Sequence, residues 1–114
     1  MGRKSILRDH KVIDTGDISG DLTSSETNCE HLDRVSYFLN WSGVSPVGTI
    51  TVEVSPDGSN WFELDLGSIS ISGNSGNHTI FITETDFKSI RLQYVSTSGT
   101  GTLNAIIHGS TEGA

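Results

Sequence analysis

The cysteine and histidine residues are the first candidates for chemistry, because thiolates and imidazoles bind metals and act as nucleophiles or bases. Cys29 is the only cysteine, and Cys29-Glu30-His31 is its only close pairing with a histidine. The other histidines are scattered along the chain at His10, His78 and His108. A structural zinc site needs about four ligands that recur in pairs. The sequence therefore predicts no metal site, and a single cysteine cannot form an internal disulfide.

Carboxylates and serines are plentiful, but none lies in a recognisable calcium or catalytic motif. Asp14, Asp17 and Asp21 share one glycine-containing run, whereas the ligands of a calcium loop recur at every second residue and end with a glutamate. No serine has the G-x-S-x-G context of a hydrolase. Gly99-Thr-Gly101 joins two predicted strands and opens no phosphate-binding helix. We therefore expect no catalytic residue, no cofactor and no enzyme activity. Carboxylates that are distant in sequence could still come together in the fold and form the active site of a small hydrolase, which stays as an interpretation beside the two given below.

Four residues beside a predicted turn are candidates for contact with a ligand or a second subunit. They are Asp57, Asn60, Trp61 and Phe62. The two rings would stack on a sugar, and the two polar side chains would bond its hydroxyls. Large aromatic residues more often pack in a core, and we expect this of Trp41 and Tyr94. For Trp61 the sequence favours neither core packing nor ligand binding.

Two-residue alternation of apolar and polar side chains defines the elements that would position these groups. The clearest segments are residues 35–41, 49–54 and 87–95, and no helical period lasts more than one turn. Phe38 interrupts the polar face of the first segment. Either another part of the domain covers it, which we favour, or it contacts another subunit.

Turn residues divide the alternating segments into strands. Pro56-Asp57-Gly58 predicts a tight turn and a hairpin into residues 61–64. We also expect a hairpin between residues 68–72 and 79–83, and a turn at residues 98–101 that leads into the last strand at 103–109.

Residues 12–32 alternate only weakly and predict two short edge strands. The chain thus contains about seven or eight strands. This pattern is typical of an all-β fold, an antiparallel β-sandwich of the jelly-roll type.

The composition fits one small domain. The chain has 114 residues, of which 33% are hydrophobic, and 13 glycines. A domain of this size stands without disulfides or metals, and the low apolar content predicts a thin core. No apolar run is long enough for a membrane span or a signal peptide, so we expect neither membrane insertion nor secretion.

Charge separates the first 11 residues from the rest. The formal net charge is −7, yet residues 1–11 hold four basic residues and one acidic residue. We expect residues 1–11 to form an extended basic arm and residues 12–114 to form the domain. The acidic domain disfavours nucleic acid as a partner, whereas the arm would bind an acidic protein surface. The predicted contact residues are Arg3, Lys4, Ile6, Leu7, Arg8 and Lys11, with the two aliphatic residues as apolar anchors.

Three segments together resemble small β-sandwich virion proteins of tailed bacteriophages. Asp57-Gly-Ser-Asn-Trp61 follows a strand, Phe87-Lys-Ser-Ile-Arg91 lies in a later strand, and Gly99-Thr-Gly-Thr-Leu103 precedes the final strand. In that group a D-G-x-x-W hairpin, an aromatic-x-x-I-R pattern and a G-T-G-T-L turn occupy these places. The resemblance covers residues 47–109.

The resemblance implies an accessory structural role in a virion, such as head decoration, neck or head-fibre attachment, or a tail component. It implies no catalytic residues. We expect a protein that is made in the host cytoplasm, binds other virion proteins and forms a homo-oligomer through its strand edges. Carbohydrate-binding and adhesive sandwiches share this layout, so a sugar-binding module stays as the alternative.

Overall fold

Antiparallel strands make up all the regular structure of the computed structural model, which describes the backbone of residues 6–83 and 85–110 and the side chains of residues 10–64, 69–83 and 85–110. The strands are β1 (Ile6–Asp17), β2 (Leu22–Thr23), β3 (Thr27–Asn28), β4 (Arg34–Ser55), β5 (Phe62–Ile71), β6 (Ser75–Ile82) and β7 (Ser89–Ser110). They form one sheet. The predicted all-β antiparallel fold is confirmed. Within the described residues no helix is long and apolar enough to cross a membrane.

The two longest strands, β4 and β7, pair with each other over 22 residues each. At about 3.3 Å per residue, a straight strand of that length would reach roughly 70 Å. The longest dimension of the molecule is only 51 Å, so both strands must bend. The register shifts between Val44 and Gly48 mark the position of this bend.

The bend divides the sheet into two halves, which we call the first and the second half-sheet. The first half-sheet contains β1, the second half of β7, the first half of β4, and β6; the second contains β2 and β3, the first half of β7, the second half of β4, and β5. The segment between β2 and β3 links the two. Ser24 N donates to Leu92 O of the second half-sheet, and Ser25 N donates to Val12 O of the first. The sheet therefore closes on itself as a sandwich.

Each long strand contains one extra residue at the bend. Val44 pairs with Thr100 and Gly48 pairs with Ser96, with only the pair of Val47 and Ser98 between them. A bulge in each strand shifts the inward-facing side chains by one position, and the two bulges cancel in the pairing register. Residues 35, 37, 39 and 41 of β4 are accordingly buried before the bend, and residues 50 and 52 after it.

The predicted turn at residues 98–101 is wrong, because β7 runs through it without reversing. Gly99 has a φ of +82° and Ser45 opposite has a φ of 47°. A Cβ on Gly99 would overlap the carbonyl oxygen of Ser45. The absence of a Cβ at this glycine therefore lets two bent strands approach closely, and the chain does not reverse here.

The hairpin predicted between residues 68–72 and 79–83 is also wrong. β5 and β6 both pair with β4, at Ile50↔Ile69 and Tyr37↔Ile80, and they run in the same direction. They form one interrupted strand along the whole edge of β4. Trp41 lies at the interruption, where its Nε1 donates to Ser72 O at 3.3 Å.

The other predicted elements agree with the structure. The Pro56-Asp57-Gly58 hairpin joins β4 to β5, with Val54 opposite Phe62. Two short strands, β2 and β3, lie within residues 12–32 as expected, although residues 12–17 belong to the longer β1. Trp41 and Tyr94 are buried in the core, as predicted.

The inner faces of the two half-sheets share one hydrophobic core. Its fully buried large side chains include Tyr37, Tyr94, Ile18, Ile50, Ile71, Ile90, Leu92, Leu103 and Ile107. Each such side chain contributes about 1.5–3 kcal/mol relative to exposure. Burial of these side chains therefore holds the two half-sheets together.

We predict that Gly99→Ala lowers the free energy of unfolding by about 2–3 kcal/mol, because alanine is strained at positive φ and its Cβ would displace Ser45. Chemical denaturation monitored by circular dichroism measures the change. Gly20→Ala is the matched control, since a Cβ there meets nothing within 4 Å and the φ is not positive. Equal stability of the two variants would contradict the role given to the bend.

Candidate functional site

The predicted basic arm falls partly within the sheet. Arg3 and Lys4 lie outside the described residues. β1 begins at Ile6, which pairs with Ser110, and continues through Lys11, which pairs with Ile106. Residues 6–11 therefore form part of an edge strand.

Lys11 is the member of the predicted arm whose side chain is described. It is exposed and pairs with Asp14 at 3.3 Å. An exposed pair of this kind contributes little stability and leaves both groups accessible to solvent. Whether the arm binds a neighbouring protein stays a prediction.

The predicted ligand residues Asp57 and Asn60 bond each other in the β4–β5 turn. Asp57 Oδ1 accepts from the backbone N–H groups of Ser59 at 2.8 Å and Asn60 at 2.9 Å, and Oδ2 accepts from Asn60 Nδ2 at 2.6 Å. These bonds, led by those from the two backbone amides, hold the pKa of Asp57 well below its usual range. Both polar side chains are therefore engaged in shaping the turn.

Trp61 stacks on an ion pair on the outer face of the second half-sheet. The Arg91 guanidinium lies 4.0 Å from the centroid of the Trp61 ring, and Arg91 Nε donates to Glu53 Oε1 at 2.8 Å. The cation–π contact and the ion pair together restrain the position of the ring. Phe62, the fourth predicted residue, is 59% exposed and points toward the inner side at the open edge, opposite Val54.

Sequence reasoning missed Arg91 and Glu53 as partners of Trp61. The two are directly opposite across β7 and β4, and opposite charges at facing outward positions stabilise a strand pair. The alternation of the two segments predicts that Glu53 and Arg91 face outward. It does not predict that they lie opposite each other, because this depends on the register between two strands whose paired residues are 38 positions apart.

A groove lies at one end of the sandwich, where the segment after β3 meets the segment after β6. Its volume is about 510 Å³, and its lining residues are Glu30, Leu32, Asp33, Thr83, Thr85 and Asp86. A neighbouring cavity of about 310 Å³ shares Glu30, Thr85 and Asp86. Among the described residues, no cysteine, serine or histidine lines either space. The end groove is acidic, and its described lining includes the carboxylates of Glu30, Asp33 and Asp86 and the hydroxyl groups of Thr83 and Thr85.

Cys29 is a buried core residue. Burial raises the pKa of its thiol to about 12, so the thiol is neutral near pH 7 and a poor nucleophile or metal ligand. Its neighbour His31 is exposed. Within the described parts of the chain, no group of three or more histidine, cysteine or acidic side chains could hold a metal ion.

The acidic run in β1 and the following turn does not converge on one point. Asp17 accepts from Ser19 N at 2.9 Å, and Asp21 Oδ1 accepts from Ser96 N at 2.9 Å, while Asp14 pairs with Lys11. Each carboxylate thus stabilises a separate piece of local structure.

An apolar stripe crosses the outer face of the first half-sheet. We define it as Phe81 on β6, Phe38 on β4 and Ile106 on β7. Phe38 is directly opposite Ile106, and Phe81 is opposite Ser36, two residues from Phe38. Phe81 is 68% exposed and Phe38 is 42% exposed, so the expectation that the domain itself covers Phe38 is wrong. The alternation places this ring outward, and the inner face is already filled.

Known proteins resemble the chain in fold rather than in sequence. No protein family and no curated protein matches its sequence. A chain of infectious bursal disease virus, Gx strain, superposes with a TM-score of 0.64 at 12% identity, over 96% of this chain and 32% of that chain. VP2 of infectious bursal disease virus in a subviral particle gives 0.59 at 10% identity, over 96% and 33%. The SPBc2 prophage-derived protein YomS gives 0.56 at 14% identity, over 95% of both chains.

These similarities show a shared β fold, which occurs in viral proteins and in a prophage-derived protein. The chain spans about a third of the viral chains and almost all of YomS. At these low identities the fold carries no further assignment. The finer resemblance to virion proteins of tailed bacteriophages stays a proposal.

We predict that Asp57→Ala lowers the melting temperature at pH 7 by a few degrees, because the turn loses its hydrogen-bond acceptor. The folded pKa of Asp57 is depressed, so its stabilisation is present above the unfolded pKa of about 3.9 and is lost as the pH falls through the lower folded value. The difference in melting temperature between wild type and variant should therefore shrink below about pH 4. A difference that is constant from pH 7 to strong acid would refute this account.

Proposed function

We propose that the chain is a non-enzymatic structural subunit of a virion, of the kind that tailed bacteriophages carry on the head, neck or tail. The observation that carries the proposal is the fold, because 96% of the chain superposes on part of VP2 in a subviral particle and 95% on a prophage-derived protein. The described surface supports an assembly role, since it offers an edge strand and an apolar stripe. The protein is made in the host cytoplasm and is located in the virion.

In this proposal the basic N-terminal segment binds an acidic surface of a neighbouring virion protein. The described residues beyond Lys11 contain only three lysines and arginines, whereas residues 1–11 alone contain four. Attraction between opposite charges would orient the subunit during docking. Ile6 and Leu7 would then anchor the start of β1, together with Arg8.

The sharpest test of this segment changes charge without removing any of β1. We expect Arg3→Glu combined with Lys4→Glu to reduce incorporation of a tagged chain into particles by at least about tenfold, or about 1.4 kcal/mol of binding. The readout is the amount of tagged protein that co-purifies with particles in a density gradient. The melting temperature of the double variant is measured alongside, to show that the domain is still folded.

Lys88→Glu is the control, since it alters charge elsewhere on the domain. Undiminished incorporation of the double variant would count against binding through the arm. Deletion of residues 1–11 is a poorer experiment, because it also removes half of an edge strand.

A carbohydrate-binding module is the second candidate, and one observation favours it. The Arg91 guanidinium lies over the Trp61 ring on the outer face of the second half-sheet and holds it in place, and a positioned aromatic ring is what stacking on a sugar requires. Against it, the polar atoms of Asp57 and Asn60 are already bonded within the turn.

A glycan array with wild type, Trp61→Ala and Phe62→Ala separates the two candidates. Under the assembly proposal, none of the three proteins binds a glycan. Binding by wild type that Trp61→Ala abolishes and Phe62→Ala retains would establish the carbohydrate module instead.

A further inference from the structure

The outer face of the first half-sheet differs from the rest of this acidic protein in carrying no carboxylate at its centre. Around the apolar stripe, the outward neighbours on β4, β6 and β7 are Ser36, Asn40, Asn77, Thr79, Asn104 and His108. The nearest acidic residues of the described chain on this face are on β1, where Asp14 is already paired with Lys11. Among the described residues, the centre of the face carries no carboxylate and one partly buried histidine, and the charged side chains lie at its margins, with Lys11 opposite Ile106 and Arg34 opposite Ser110.

The corresponding face of the second half-sheet is charged. Glu53 and Glu63 lie opposite each other on β4 and β5, and only one of them is bonded to Arg91. Two molecules that each carry a net charge of −7 repel when such faces meet. The first half-sheet can bring two copies together without burying an unpaired carboxylate.

The size of the face is compatible with a dimer interface. Four strands about 4.8 Å apart, paired over eight residues at about 3.3 Å each, give a flat projection of roughly 500 Å². Side chains that stand out from the sheet increase the accessible area above the projection. Standard interfaces bury about 800 Å² on each partner, and two largely exposed phenylalanines at the centre of the face supply the aromatic anchors that such interfaces use.

We propose that a second copy of this chain packs on the apolar stripe, so that two first half-sheets stack face to face about a two-fold axis near Phe38. Phe38 lies on an inner strand, midway along the paired residues of β4 and β6. A two-fold contact places the same face on both sides, and Phe81 of each copy then packs beside Phe38 of the other. Stacked sheets of this kind lie about 10 Å apart.

This inference rests on the proposed assembly role and names its partner, and its test uses the isolated chain without particles. Sedimentation equilibrium from about 1 µM to about 200 µM should show a concentration-dependent mass that approaches twice 12.2 kDa. Phe38→Ser and Phe81→Ser should each raise the dimer dissociation constant by at least about 30-fold. Phe62→Ser is the matched control, because the exposure of Phe62 lies between those of Phe38 and Phe81 but the residue is on the second half-sheet, and it should leave the constant unchanged.

A second measurement is independent of any loss of folding in the phenylalanine variants. Asn40→Cys, on the same face two residues from Phe38, should be cross-linked into a dimer by a bismaleimide long enough to bridge sheets about 10 Å apart, whereas Glu63→Cys should not. The native Cys29 is buried and does not compete. A monomeric mass at every concentration, or an association that neither phenylalanine substitution weakens, would overturn the proposal. Neither result would affect the proposal that the arm binds particles, which is tested by the incorporation experiment.

Discussion

The antiparallel pairing of β4 with β7 runs from Arg34↔Ser110 to Ser55↔Ser89, almost without interruption. Every other strand pairs with one of these two. A flat sheet of such length would expose one apolar face to water, so the paired strands bend and bury that face against itself. The bulge in each strand is what allows the bend, because both strands change phase together and their hydrogen bonds resume in the same register.

This arrangement explains where the described side chains are available for contact with other molecules. The space between the half-sheets is filled with Tyr, Ile and Leu side chains, and the one cysteine is buried there as a neutral thiol. The polar groups of the described turns bond to local partners. The surfaces that the described residues offer for contact with other molecules include the edge strand β1, the acidic end groove, the Trp61 and Arg91 pair, and the outer face that carries the apolar stripe.

The predictions that succeeded depended on short stretches of sequence. Alternation located the strands, Asp57 and Gly58 located the β4–β5 turn, and the core assignments of Trp41 and Tyr94 followed from their place in an alternating segment. The two errors in the connections between strands share one cause. Glycine-rich segments at residues 73–76 and 99–101 were interpreted as chain reversals, whereas the structure uses them to let one long strand continue past a bend or an interruption. A glycine permits positive φ in both situations, and local sequence does not distinguish them.

The amino-acid sequence by itself determined the strands, the inward side of each strand and the charge contrast between the first residues and the domain, because these depend on side-chain type and a period of two. It also contained the change of phase at the bend, since residues 35–41 are apolar at odd positions and residues 50–54 at even positions. Only the tertiary structure decided that β4 and β7 are continuous, that residues 6–11 pair with β7, and that Phe38, Phe81 and Ile106 meet on one outer face. Those outcomes depend on the register between strands distant in the chain, which is set by the packing of the whole core rather than by any local segment.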